Sequence, residues 1–267
     1  MPAEILVRDL NDHRRSLVAW AIGLSLYVAL IVVVWPSIRD STQLTRAFQD
    51  YPDALKQLFG GEASFDFATA AGYLNAELFS LMYPLMLAVF AIAFGASTLA
   101  GEEERGVLDL VLAYPVRRGR VVGEKALALL VGLVGLAAVS TVTMLLVGLA
   151  VGLHQGVSAL LAAVTGAVLV AAATGALALF VGAWRGSRAA AIGVAAAVFV
   201  GGYLLQVLAG FVGALDRARW LSPMYLANGT TPIRNGWPLA QYAGLAAITV
   251  GLFLASRWVF ERRDLGR

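Results

Sequence analysis

Five long stretches of this sequence contain no Asp, Glu, Lys or Arg: residues 16–37, 78–101, 126–184, 189–215 and 235–256. A hydrocarbon layer roughly 30 Å thick is crossed by about 20 helical residues, so four of these stretches hold one crossing each and the longest holds two. The long one folds at residues 152–156, Gly-Leu-His-Gln-Gly, which carry its only titratable group and two glycines. The predicted spans are therefore 17–35, 78–100, 126–152, 157–184, 189–215 and 238–256. The runs are continuous rather than alternating, which disfavours membrane strands. Composition agrees: 60% of residues are hydrophobic and 14% charged, against roughly 45–50% and about 25% in soluble domains. The expectation is an all-α integral membrane protein, one transmembrane domain over residues 1–267.

Orientation follows from the basic residues. Arg8, Arg14 and Arg15, then Arg105, Arg117, Arg118, Arg120 and Lys125, then Arg185 and Arg188, then Arg257, Arg262, Arg263 and Arg267 all fall on one side. Only Arg39, Arg46, Lys56, Arg217, Arg219 and Arg234 fall on the other. The first side is expected to be cytoplasmic and to hold both termini. No basic residue lies mid-membrane, where it would cost at least ~2.5–3.5 kcal/mol. The net charge of +3 is spread between apolar blocks, so no nucleic-acid partner is expected. Cysteine is absent, which excludes disulfides and thiolate chemistry. The first apolar run ends in Trp35-Pro36 rather than in small residues, so it is read as a retained span and not a cleaved signal.

Three segments outside the spans have patterns of their own. Ala3, Leu6, Val7 and Leu10 recur at helical spacing, as in an amphipathic helix over 3–15 on the membrane surface, although a frayed polar terminus fits the same residues. The stretch 36–77 is too long and apolar for a bare connector. Its Leu44, Phe48, Leu55, Leu58 and Phe59 suggest short helices that either cap a pathway or pack on the span ends. Trp220, Pro223, Tyr225, Pro232 and Trp237 suggest an interfacial belt with a re-entrant turn before the last span.

The loop after span two is the most distinctive. Glu102, Glu103 and Glu104 lie where a helix start favours acids, and Pro115 closes the element. Val107, Leu108, Val111 and Leu112 would form an exposed apolar strip seeking a partner, or one lying against the protein's own helix ends. The loop carries the pattern Glu-x-Glu-x-Gly-x-Leu-acid-x-x-Leu-x-x-Pro-Val-x-Arg, with a lysine ten residues past the proline. It is met by Glu102, Glu104, Gly106, Leu108, Asp109, Leu112, Pro115, Val116, Arg118 and Lys125. This pattern resembles the loop signature of type 2 ABC exporter permeases, and the six-span plan resembles theirs as well. One departure is Val107, where that family usually has Thr.

The resemblance implies the transmembrane permease subunit of an ATP-binding-cassette exporter, moving a hydrophobic or amphipathic substrate (drug, lipid or peptide) outward. It implies a dimer with an identical or related permease chain and two cytoplasmic ABC ATPase subunits, in a cell membrane, a prokaryotic plasma membrane. ATP and Mg would belong to the ATPase, with no cofactor or metal on this chain. Contact with the ATPase would fall to Glu102, Glu103, Glu104, Arg105, Gly106, Leu108, Asp109, Leu112, Pro115 and Arg118, on a coupling helix. Consistently, the only lysines, Lys56 and Lys125, follow Leu55 and Glu124, so the sequence has no phosphate-binding Gly-x-x-x-x-Gly-Lys-Ser/Thr and no enzyme activity of its own is expected. In the family's architecture spans two and five line the pathway. That points to Phe79, Met82, Met86 and Phe90 on span two and Phe199, Tyr203 and Gln206 on span five, although such stripes are also ordinary packing.

Two other classes compete. An intramembrane enzyme with a Glu-Glu-x-x-x-Arg motif would need arginine where Val107 and Leu108 stand, and the two histidines, His13 and His154, fall on opposite sides of the membrane. An ion-coupled carrier or channel would need ionisable groups within its spans. The sequence offers only Glu77 at the edge of span two and the uncharged Gln206 in span five.

Overall fold

The computed structural model describes residues 4–39, 69–108 and 117–263, and these are helical with no strand among them. A short helix α1 (Glu4–Asp12) is followed after one residue by α2 (Arg14–Arg39), the first crossing. The second crossing, Ala70–Thr98, is a composite of α3 (Ala70–Leu74), a π-helical turn (Asn75–Phe79) and α4 (Met82–Thr98). It runs on into α5 (Ala100–Glu104). The remaining crossings are α6 (Arg118–Val151), α7 (Val157–Arg185), α8 (Arg188–Ala209) and α11 (Leu239–Arg262), with α9 (Pro223–Asn228) and α10 (Pro232–Asn235) between the last two. All six expected crossings are present. The proposed fold at residues 152–156 is there too, with Gly152 closing α6 at φ 72° and His154 exposed.

Crossings two and four form the centre. Their apolar windows are 67% and 72% buried, against 17–39% for the other four. In lipid, apolar side chains gain little by leaving the solvent, so helices associate where small residues let backbones approach. The buried face of α7 is built that way, from Ala162, Gly166, Ala167, Ala171, Gly175, Ala178 and Gly182. Its closest neighbour is α4: a Cβ on Gly95 would collide with the carbonyl oxygen of Gly175. A Cβ on Gly175 would come within 2.9 Å of that of Ala91. The outer helices keep Leu26, Leu30, Val134, Leu146, Leu149 and Leu254 exposed, as lipid-facing surfaces require.

The end of the bundle that holds α1, α5 and Arg263 is here the near end, and the opposite one the far end. At 34 residues, α6 is about 51 Å long, well beyond a ~30 Å hydrocarbon core. Its first turns carry Arg118, Arg120, Glu124 and Lys125, charges that a hydrocarbon core excludes, so the excess length is assigned to the near end. The short helix α1 docks there. Its Leu6 and Leu10 pack on the main core, whereas Val7, expected on the same stripe, is 53% exposed. The helix also stops at Asp12, short of the expected residue 15.

Crossing two begins at Ala70, ahead of the expected Leu78, because Glu77 lies within the helix and not at its edge. The crossing breaks at Ser80-Leu81, where Leu81 has φ −149° and ψ −52°. Pro84 explains the break, since it has no N–H to return to the carbonyl of Ser80. Side-chain donors reach three carbonyls on the N-terminal side of the break. Ser80 Oγ donates to Ala76 O at 2.7 Å, Tyr27 Oη to Glu77 O at 3.2 Å, and Asn228 Nδ2 to Phe79 O at 3.1 Å. The last donor comes from the 216–238 segment, which folds back into the bundle. Met224 and Ala227 of α9 are buried with Ala88, Val170, Phe199 and Leu245 of four crossings.

Candidate functional site

The three glutamates after crossing two each hold a different element. Glu102 Oε1 accepts from Lys125 Nζ at 2.7 Å, and the same ammonium donates to Asp9 Oδ1 at 3.2 Å. Lys125 is 1% exposed and the Asp9 side chain 4%, so the end of crossing two, the start of α6 and α1 meet in a closed ionic knot. Glu103 grips Arg263 with both oxygens, at 2.6 and 3.0 Å, a fork geometry that is strong and directional. Arg263 also donates to Ala183 O at 3.1 Å, and Arg118 Nη1 donates to Arg263 O at 2.7 Å. Glu104 accepts the backbone N–H of Arg188, the first residue of α8, at 2.8 Å.

A second brace links α1 to α6. Glu124 Oε2 accepts the N–H groups of Ile5 and Leu6 at 3.0 and 3.2 Å. A carboxylate there satisfies donors that every helix start leaves free and faces the positive end of its dipole. Through these bonds the segment 102–104 and its neighbours connect α1, α6, α8 and the end of α11. The loop pattern contains Lys125 and Arg118 but does not show what they contact, and Asp9, Arg188 and Arg263 lie outside it.

Past the glutamates, Arg105 ends α5 and is exposed, with no ion pair among the described residues. Gly106 turns the chain at φ 69°, where a side chain would be strained. Leu108 does not belong to an exposed strip. It is 1% exposed and lies in a cluster with Leu99, Val122, Ala126, Leu179, Ala183 and Phe260, because the turn at Gly106 directs Val107 and Leu108 back toward the bundle. Val107 is half-buried. Asp109, Val111, Leu112 and Pro115 lie outside the described residues, as do Leu44, Phe48, Leu55, Leu58 and Phe59. Arg118, which opens α6, is half-buried.

The residues expected along a pathway do not share one face. Phe79, Phe90 and Phe199 are 1, 2 and 3% exposed, and the first two point into the core shared with α2 and α6. Met86 packs on the edge of that core. Met82 is 42% exposed. Tyr203 and Gln206 do come together, in a polar cavity of ≈ 340 Å³ at the far end between crossings two and five, lined also by Ser80, Asp216, Arg219, Tyr225 and Asn228. Spacing on one helix could not show this, since Ser80 comes from crossing two and Asp216, Arg219, Tyr225 and Asn228 from the 216–238 segment.

Comparison with curated proteins finds no match. A family model described as ABC-2 family transporter protein matches residues 3–265, spanning both the ionic knot at the near end and the polar cavity at the far end. The six-crossing chain, braced by three consecutive glutamates where crossing two leaves the membrane, therefore belongs to the ABC-2 family of transporter membrane proteins.

Proposed function

We propose that this chain is the permease half of an ATP-driven exporter. It works as a dimer with an identical or related permease. Two separate cytoplasmic ATPase subunits bind ATP and Mg. The near end, with both termini, faces the cytoplasm of a prokaryotic cell, and a hydrophobic or amphipathic substrate leaves at the far end. The observation that carries this reading is the linkage of Glu102, Glu103 and Glu104 to three different elements. A force applied to the loop beyond them reaches α1, α6, α8 and α11 together, and nucleotide-driven closure of the ATPases would supply it. Crossing two then rocks against crossing five.

The geometry redistributes the roles within the loop. Leu108 holds the loop to the bundle from inside, so it serves as an anchor. Among the described residues of the loop, Glu104, Arg105 and Gly106 are exposed and open to a partner. The test is purification of the tagged chain from its native membrane with identification of co-purifying proteins and an ATPase assay. A stoichiometric ATPase whose hydrolysis is uncoupled by Arg105→Glu, with melting of the permease unchanged, is the expected result. A folded, pure preparation with no ATPase partner would sink the proposal. Leu108→Asp is a poor probe, because a carboxylate in that cluster disrupts the fold itself.

A further inference from the structure

One face of crossing two changes character as the chain leaves the membrane at the near end. Ala93, Ser97, Gly101 and Glu104 follow one another at helical spacing over about 16 Å, and all four line one cavity of ≈ 290 Å³. The start of α2 and Arg188 of α8 supply the other walls. Deepest in the membrane the surface is apolar, formed by the half-buried Trp20 and Ala93. The buried Phe90 and Phe94 stand behind them, with the Trp20 and Phe90 rings edge to face at 6.1 Å. A polar band follows, where His13 lies 2.9 Å from Asp9 O and 3.3 Å from Ser97 Oγ. The mouth is charged.

Arg105 and Arg188 line that mouth. Both residues are exposed, and neither has an ion pair among the described residues. They meet at one corner, because the backbone N–H of Arg188 donates to Glu104 Oε1 at 2.8 Å and Arg105 follows Glu104 in the chain. Glu104 is the one carboxylate among the described lining residues, so two cations stand against one anion. A guanidinium fork matches phosphate oxygens. A cationic ligand would meet the excess positive charge, and a small hydrated anion would use the mouth and leave the apolar surface bare. An anionic amphiphile uses both. The volume lies just under the ~300–1,000 Å³ of drug-sized sites, which admits a headgroup and its adjoining carbons while the chains stay in the bilayer.

We infer that this cavity binds the phosphate headgroup of an anionic lipid from the leaflet at the near end, with the phosphate at Arg105 and Arg188 and the adjoining carbons on Trp20 and Ala93. Binding needs no ATPase and stands apart from the exporter reading. Arg105 also belongs to the surface proposed to meet the ATPase, so Arg188 carries the test.

The full-length chain, with no ATPase present, is placed in discs of phosphatidylcholine holding a small, varied fraction of phosphatidic acid that carries a diazirine near its glycerol. Labelled residues are mapped by mass spectrometry. Saturable labelling within residues 13–20 or 90–97, displaced by unlabelled phosphatidic acid or phosphatidylglycerol and not by millimolar inorganic phosphate, is expected. Arg188→Gln keeps the backbone bond to Glu104 and lowers apparent affinity about fivefold, the loss for one cation near an anionic lipid surface, while melting is unchanged. Should that variant lose stability, Arg105→Gln carries the same expectation. Arg185→Gln removes an exposed near-end cation that does not line the cavity and keeps native affinity. Displacement by inorganic phosphate would make this a site for a soluble anion and overturn the assignment. Labelling that does not saturate, native affinity in folded Arg188→Gln or Arg105→Gln, or an equal loss in Arg185→Gln overturns it as well.

Discussion

Lys125 is the single cation between two buried carboxylates, and replacing it with Met isolates the contribution of the near-end knot. The side chains of Lys125, Asp9 and Glu102 are 1, 4 and 13% exposed, so water cannot stand in for the lost ammonium. Two negative groups would be left facing each other, and the second oxygen of Glu102 already lacks a partner among the described residues. Removing one member of a buried ion pair typically costs about 3–5 kcal/mol. At roughly 2–4 °C per kcal/mol for a chain of this size, Lys125→Met should melt at least about 6 °C lower. The assay is fluorescence-detected size exclusion after heating, on the fluorescent-protein fusion. Because most of the cost is the uncompensated charge, the triple variant Asp9→Leu, Glu102→Met, Lys125→Met should recover the greater part of the lost stability. On the exporter reading, the triple variant, folded but without the link from crossing two to α1 and α6, should leave ATP hydrolysis by the partner ATPase intact and transport poorly. Melting of Lys125→Met within about 2 °C of the native chain would refute the reasoning, as would a triple variant no more stable than the single one.

Gly95→Val pushes two methyl groups against the carbonyl of Gly175 and should cost at least about 1–3 kcal/mol. In contrast, Gly135→Ala, which meets nothing within 4 Å, should be neutral or stabilising, and the same thermal assay compares the two. Gly106→Ala forces a side chain into φ 69° and should cost roughly 1–2 kcal/mol, read as a lower melting temperature. Asn228→Ala removes the donor to Phe79 O and should speed hydrogen exchange across residues 76–82 while leaving α7 unchanged.

The crossings were readable because each is a continuous apolar run of bilayer length, and the turn at Gly152 because glycine and histidine interrupt one of them. Glu77 misled on the start of crossing two. A charge usually marks a boundary, but here it belongs to a π-helical turn within the helix. The loop pattern located Glu102 to Leu108 and Lys125 but not the pairings, since Lys125, Arg263 and Arg188 come from three other elements and only the folded chain brings them together. For Leu108 the sequence left open an exposed strip or packing on the helix ends, because periodicity within a loop cannot reveal a glycine turn, and the folded chain takes the second. The close approach of crossings two and four was hidden for a similar reason. Gly95 and Gly175 lie in different helices and become a pair only when the two pack.

The broken crossing two also divides the molecule mechanically. Its lower part, α4, is locked to α7 through Gly95 and to the near-end glutamates through α5. Its upper part is tied to α2 by Tyr27 and to the 216–238 hairpin by Asn228. A continuous helix would carry any tilt from one mouth of the protein to the other like a lever. A jointed one can yield at Ser80-Leu81 first, so the near end can tilt while the far end stays held by the side-chain bond from Asn228.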